Sequence, residues 1–257
     1  MDTDSGRGYL KAMGGPEGPH TLAAEVVATQ LAAWFKLPVF DWAIVRVDEF
    51  TEIPFFNPSG EFERNAEQGP AYITQEESGA PWNGGERQLK MLMNPEAISR
   101  LVVFDTWVLN CDRYSERLDS VVPQTRINRD NVFLSGEAPK GEYLLKAMDH
   151  THCFSCGREW TTKLSHLDRI RVQRSFGLFP EFRKYLRIDA VADAAADLKL
   201  IHEPTVREFV SVIPVEWEVS RQVADALIDL IVRRAGYVAD NAKRIIWPQG
   251  QLFDEDL

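Results

Sequence analysis

The chain has 257 residues, with 29 Lys and Arg against 39 Asp and Glu, a formal net charge of −10 and a sequence pI near 5.1. Hydrophobic residues at 44% and charged residues at 26% are ordinary globular values, which excludes wholesale disorder, collagen-like repeats and a disulfide scaffold. The acidic balance argues against nucleic-acid binding through a broad basic surface, because neutralising phosphates takes clustered Lys and Arg. Three cysteines in this length point to a reducing compartment. No run of about 18 apolar residues provides a membrane span. Met1 to Gly8 carries two acids and no apolar stretch, unlike a signal peptide, so a soluble cytoplasmic protein is expected.

In chain order, Gly8 to Met13 predicts a short strand carrying Lys11, and Gly14-Gly15-Pro16-Glu17-Gly18-Pro19 is too rich in Gly and Pro for regular structure. A helix capped by Thr21 follows, with Leu22, Val26, Leu31, Trp34 and Phe35 near helical spacing and Pro38 as its stop. Val39 to Val47 alternates as a strand. Thr51 to Gly69, polar and broken by Pro54, Pro58 and Gly60, is expected to be a surface excursion, and Ala71 to Thr74 a short strand. Ser78 to Glu86 is expected to be a loop. Asn94 as cap, Pro95 at the first helical position and Glu96 then open a helix running to about Leu109.

The composition shift between residues 70 and 90 divides the chain into a smaller N-terminal part, 1–75, and a larger C-terminal part, 76–248, with an acidic, mobile tail at 249–257. Past residue 150 the pattern is mainly helical: Leu164 to Val172, the alanine-rich 190–200, and the stretch of Val223, Leu227, Leu230 and Ile231.

The chemistry concentrates between Asn110 and His150. Asn110-Cys111-Asp112-Arg113 ends the long helix, and two apolar strands follow, one opening at Asn131 and the other, Leu144 to Met148, closing at Asp149. An amide oxygen and a carboxylate brought together at the ends of a hairpin suit Mg²⁺, a hard cation that takes oxygen ligands and keeps positions for water and phosphates. Asp112, just upstream, is placed to accept or orient the proton of an attacking hydroxyl.

This order of Asp, Asn and Asp around a hairpin resembles the catalytic core of the protein-kinase-like superfamily, and within it the HipA-like and phosphatidylinositol-kinase-like branch, where Asp-Arg replaces the His-Arg-Asp order. Gly8-Tyr9-Leu10-Lys11, the glycines that follow, Leu22-Ala23-Ala24-Glu25 and Lys36-Leu37-Pro38-Val39 resemble the HipA-like lysine strand, loop and helix. Gly69-Pro70-Ala71-Tyr72 is similar to its nucleotide-binding strand, and Ile213-Pro214-Val215-Glu216-Trp217 to its C-terminal helices. The similarity spans roughly residues 7 to 235. It implies an α+β, bilobal protein-kinase-like fold, with a reduced N-terminal lobe and a mainly helical C-terminal lobe.

The resemblance further implies an ATP- and Mg²⁺-dependent kinase that transfers a phosphoryl group to an alcohol, with a protein Ser/Thr hydroxyl as the favoured acceptor. It implies Lys11 on the nucleotide phosphates, Glu25 as its ion-pair partner, Asp112 as the catalytic carboxylate, and Asn131 with Asp149 on Mg²⁺. Gly14, Gly15 and Gly18 would let backbone N–H groups approach phosphate, and Ala71 and Tyr72 would border the nucleotide. The chain departs from the family in two places. The position five residues after Asp112 is Arg117 rather than Asn; an insertion of about Tyr114 to Asn128 accounts for this, and leaves Asn128 a rival to Asn131. Only ten residues precede Lys11, so either Gly14 to Gly18 covers the phosphates or the nucleotide is held more openly. A pseudokinase binding module and a small-molecule or lipid kinase are the competing assignments.

Without the resemblance, Lys11 reads as a solvated strand residue and Glu25 as an exposed helix position. His150-Thr151-His152-Cys153-Phe154-Ser155-Cys156 offers two imidazoles and a Cys-x-x-Cys but no distant second pair at zinc spacing. It is expected to pack beneath the site. Trp34, Trp42, Trp107, Trp160 and Trp217 are expected in the core.

Overall fold

The computed structural model describes residues 1–3, 6–57, 59–117 and 124–248; the expected tail at 249–257 and residues 118–123 of the expected insertion lie outside them. The fold is mixed α/β, with small antiparallel sheets and several helices. Strand β1 (Asp2–Thr3) pairs with β2 (Gly6–Lys11), and helix α1 (His20–Trp34) follows. Then come β3 (Trp42–Val47), the exposed hairpin of β4 (Pro54–Phe56) and β5 (Phe62–Asn65), and β6 (Gly69–Gln75). The sheet order is β1-β2-β6-β3, and its register sets Lys11 opposite Tyr72.

Helix α1 packs under this sheet and is buried along almost every face from Leu22 to Ala32, because Ala23, Ala24, Ala28 and Ala32 allow neighbours close on all sides. That burial carries Glu25 into the interior, where it is only 3% exposed. Thr21 is not the cap: the helix begins at His20, and the Thr21 hydroxyl donates back to the Gly18 carbonyl at 2.8 Å. The stop also comes early, at Phe35 and Lys36, the latter at φ 60.

Part of the loop expected at 78–86 is a strand, β7 (Gly79–Pro81), paired antiparallel with Phe133, Leu134 and Ser135. A Cβ on Gly79 would lie 2.4 Å from the Leu134 carbonyl and 2.7 Å from the Phe133 ring, so only glycine allows this approach. A short helix α2 (Glu86–Leu89) leads to α3 (Glu96–Val108), which ends where Leu109 takes the left-handed conformation. Asn94 does not cap α3 with its side chain. It brackets Leu145 instead, donating to its carbonyl at 3.0 Å and accepting from its N–H at 2.9 Å, and so ties the start of α3 to the strand Leu144–Ala147.

After α3 come the pair β8 (Tyr114–Arg117) and β9 (Gln124–Ile127), then the hairpin β10 (Val132–Ser135) and β11 (Leu144–Ala147). The rest is helical: α4 (Leu167–Ile170), α5 (Ile188–Leu198), α6 (Glu203–Ser211) and the long α7 (Arg221–Ile246). Buried Trp82, Trp107, Trp217, Phe104 and Phe179 belong to one large core, whereas Ala12, Val47 and Ala71 form a separate cluster. Trp217 anchors the segment before α7 to the sheet through an indole N–H to the Pro70 carbonyl at 3.1 Å. Among the described residues no helix is long and apolar enough to cross a membrane.

Arg234 of α7 is fully buried and donates to the carbonyls of Thr106, Trp107, Arg169, Ile170 and Val172. A cation at the C-terminal ends of α3 and α4 complements their dipoles and satisfies carbonyls that lack helical partners. Arg234→Leu should orphan those carbonyls and cost about 3 kcal/mol or more, read as a shifted urea midpoint; a change below about 1 kcal/mol would show the carbonyls are satisfied by other means.

Candidate active site

Lys11 reaches across from β2 to two carboxylates, its Nζ donating to Glu25 Oε2 at 2.7 Å and to Asp149 Oδ1 at 2.9 Å. Burial opposes the charge on Lys11, but Glu25 and Asp149 outweigh it and its pKa lies above the ordinary lysine value. Burial likewise works against the charge of Glu25, and Lys11 overcomes it, so the carboxyl stays below its usual range. Asp149 behaves the same way: burial raises its pKa, while Lys11 and the Thr151 hydroxyl, at 2.7 Å, pull it well below the carboxylate range. Glu25 also accepts the His150 N–H at 3.0 Å, which locks α1 to the segment carrying Asp149. Asp149 itself has φ 56, a left-handed conformation that sharply turns the chain after β11.

Asp112, in the turn after α3, is buried, 4% exposed. Its Oδ2 accepts from both Asn128 Nδ2 at 3.0 Å and Asn131 Nδ2 at 2.8 Å. Both rival asparagines therefore reach the same carboxylate, Asn131 being buried and Asn128 partly so. The Arg126 guanidinium lies 2.5 Å from Asp112 Oδ1. The β10–β11 register sets Val132 opposite Ala147, which brings Asn131 beside Met148, one residue before Asp149.

What holds these pieces together is Arg113, fully buried against equally buried Asp105 of α3, with Nε donating to Oδ2 at 2.7 Å. Its Nη1 also donates to the Asn131 carbonyl and, at 3.0 Å, to the Met148 carbonyl. One guanidinium thus links α3 to the backbone beside Asn131 and beside Asp149. Asn110 completes the turn, donating to Asp105 Oδ1 at 3.1 Å and accepting the Asp112 N–H at 3.1 Å. Gly177 crowds this pair: a Cβ there would lie 2.1 Å from Asp105 Oδ2, and its φ is +70.

A cavity of about 330 Å³ opens beside Lys11, Glu25 and Asp149. Its apolar walls are Val39, Phe40, Pro81, Phe133, Ala147 and Met148, and Tyr72, Thr74 and Glu77 add polar groups. Such a mix, an apolar slot with convergent charges at one end, suits a ligand with a flat apolar part and an anionic tail. Gly14, Gly15, Gly18 and Ala71 are not among the lining residues. Gly14 packs against Glu67, Gly15 and Gly18 form a hydrogen-bonded turn into α1, and Ala71 faces the small cluster with Ala12 and Val47.

The segment after Asp149 is built into the molecule: Phe154 N–H donates to the Val108 carbonyl at 2.7 Å, and His150 is buried with its ring edge-on to Phe104. Cys111 and Cys156 are disulfide-bonded, their Cα atoms 5.6 Å apart, whereas Cys153 is a buried thiol; the cysteine count alone points to a reducing compartment and does not anticipate the pairing. Among the described residues no group of three His, Cys, Asp or Glu side chains forms a metal site.

Asn131 and Asp149 offer an amide oxygen and an ionised carboxylate, a donor set with the chemistry of a hard divalent cation. Asn131 commits Nδ2 to Asp112 and the hydrogen bonds to Asp149 fall on Oδ1, so the residues present fit such an ion. Arg113 enters the sequence reading only as part of the Asp-Arg pair, and Asp105, Phe40 and Phe133 carry no role in it. Arg113 and Asp105 look like ordinary helix charges until the fold buries them together; the adjacency of Arg113 to Asp112 is the one local sign. Lys146, another such residue, holds cavity-lining Glu77 at 2.6 Å.

Lys11→Met should lose about 2 kcal/mol or more, because it leaves Glu25 ionised and buried without its cation. Adding Glu25→Gln should recover part of that loss, and denaturant titrations of both variants check it. Since the carboxyl pKa values are depressed in the folded state, their stabilisation is present above about pH 4 and is lost as pH falls below it. Gly177→Ala should lower stability by about 2 kcal/mol or more through clash and positive φ; an unchanged melting temperature would contradict the tight seat at Asp105.

No curated protein matches the chain. A family model described as HipA-like kinase matches residues 3–123, a stretch that contains Lys11, Glu25, Tyr72, Asp105, Asp112 and Arg113 and stops short of Asn131 and Asp149. By that match, residues 3–123 are similar to the HipA-like kinase family.

Proposed function

We propose that the protein is an ATP- and Mg²⁺-dependent phosphotransferase of kinase-like bilobal architecture, residues 1–75 forming the small lobe and 76–248 the larger one, acting in the cytoplasm on a hydroxyl acceptor, with protein Ser/Thr favoured. The observation that carries this is the placement of Lys11 between Glu25 and Asp149 at 2.7 and 2.9 Å, at the polar end of a half-apolar cavity. A lysine held by two carboxylates is pre-oriented, and Mg²⁺ bound with the polyphosphate would offset the repulsion between the phosphates and those carboxylates.

The apolar slot of Val39, Phe40, Phe133 and Met148 would take the nucleobase, and Lys11 the phosphates. Asn131 and Asp149 would hold Mg²⁺, whose charge offsets that of the transferred phosphoryl group. Asp112 would orient the acceptor hydroxyl and take its proton. Its two amide contacts, from Asn128 and Asn131, fix the carboxylate in position. The roles of the two asparagines differ in this account: Asn131 sits at the head of β10 beside Met148, and the Asn128 side chain donates to Asp112 while its N–H donates to the Arg113 carbonyl.

Incubation of the protein with γ-labelled ATP and Mg²⁺ tests the proposal. Transfer of label should fall by about 10³-fold or more in Asp112→Ala and Asp149→Asn. Asn131→Ala should lower turnover far more than Asn128→Ala. Full turnover by Asp149→Asn would refute the metal assignment, and the reverse order of the asparagine variants would move the ligand to Asn128.

A further inference from the structure

We propose that the hairpin of β8 and β9 forms the acceptor side of the site and selects a hydroxyl that carries an anionic group, a carboxylate or a phosphate, held by Arg126. The inference rests on the phosphotransferase reading and names the substrate class of that site. A second cavity, of about 470 Å³, is lined by Cys111, Ser115, Gln124, Thr125, Arg126 and Cys156. Cys111 directly precedes Asp112, and Arg126 of the same lining contacts the Asp112 carboxylate, so this cavity adjoins it.

The wall is built rather than incidental. The Cys111–Cys156 disulfide ties the Asp112 turn to the segment after Asp149. Ser115 Oγ donates to the Cys111 carbonyl at 2.7 Å, and β8–β9 pairing sets Ser115 directly opposite Arg126. The described lining offers a guanidinium, two hydroxyls and an amide but no carboxylate, in a protein of net charge −10.

Arg126 stands between this cavity and the catalytic carboxylate. Its Nη2 lies 2.5 Å from Asp112 Oδ1, and its side chain is 51% exposed against 6% for Asp112. Guanidinium has five N–H donors in a planar fork, so contact with Asp112 leaves donors directed elsewhere, and a carboxylate or phosphate is the group that fits such a fork bidentately. An acceptor anchored there presents its hydroxyl to Asp112. In the transfer, the acceptor oxygen bonds to the γ-phosphorus, the bond from that phosphorus to the β–γ bridging oxygen breaks, ADP departs with that electron pair, and the hydroxyl proton passes to Asp112 and then to solvent.

Two readouts on the full chain test this. In calorimetric titration with Mg²⁺ and a non-hydrolysable ATP analogue present, O-phosphoserine should bind at least about tenfold more weakly to Arg126→Gln than to wild type, with Arg126→Lys between them. In the labelling assay, Ser peptides with Asp beside the acceptor should exceed their Ala and Lys counterparts about tenfold in kcat/KM, and Arg126→Gln should erase that preference through the acceptor KM. Glycerol 3-phosphate against glycerol, in the same assay, separates a small phosphorylated alcohol from an acidic peptide. Equal O-phosphoserine binding by wild type and Arg126→Gln, or an equal loss for all acceptors in that variant, would overturn the proposal. Failure of the phosphotransferase reading shows separately, as ATP affinity unchanged by Lys11→Met and Asp149→Asn.

Discussion

The ion pair between Arg113 and Asp105 is the constraint on which the candidate site depends. Both side chains are wholly removed from solvent, a state that is strongly unfavourable for either charge alone and tolerable only when each is paired and hydrogen-bonded. The pairing is used for position. Because the same guanidinium also donates to the carbonyls beside Asn131 and Asp149, the end of α3, the Asp112 turn and both strands of the hairpin share one rigid joint. Gly177, which has no Cβ to displace Asp105, and Asn110, which fills its second oxygen, are consequences of that demand.

The two most buried arginines solve the same problem differently. Arg113 has a carboxylate, whereas Arg234 donates to backbone carbonyls at the ends of two helices. A helix C-terminus carries partial negative charge and unpaired acceptors, so Arg234 needs no acidic partner. Burial lowers its pKa to about 9, still cationic at neutral pH. Together these residues fix both sides of α3, the helix from whose end Asp112 projects.

A third balance governs the Lys11 cluster. One ammonium faces two carboxylates, so the cluster is anionic as a unit, and a metal ion together with a polyphosphate would complete it. Its most buried member, Glu25, is also the most firmly held, by Lys11, by the His150 N–H and by a helix buried on nearly all faces. The more exposed members, Lys11 and Asp149, are those that would meet ligand.

The sequence by itself determined the order of the main elements and the placement of Lys11, Glu25, Asp112, Asn131 and Asp149 near their ends, because hydrophobic period and Gly/Pro punctuation are local properties. It misjudged what neighbours decide. Thr21 and Asn94 look like helix caps, but Pro19 opens one helix and Asn94 is drawn to the Leu145 backbone. Gly79 to Pro81 look like loop, but a partner strand accepts them at an edge. Gly15 and Gly18 close a hydrogen-bonded turn into α1 that the sequence does not show, and neither lines the cavity beside Lys11. Whether Lys11 and Glu25 are solvated or paired, whether Arg113 is a surface charge or a joint, and where Arg126 points are all settled by burial and long-range contact. Such contacts join residues up to 138 positions apart, and no local pattern in the chain records them.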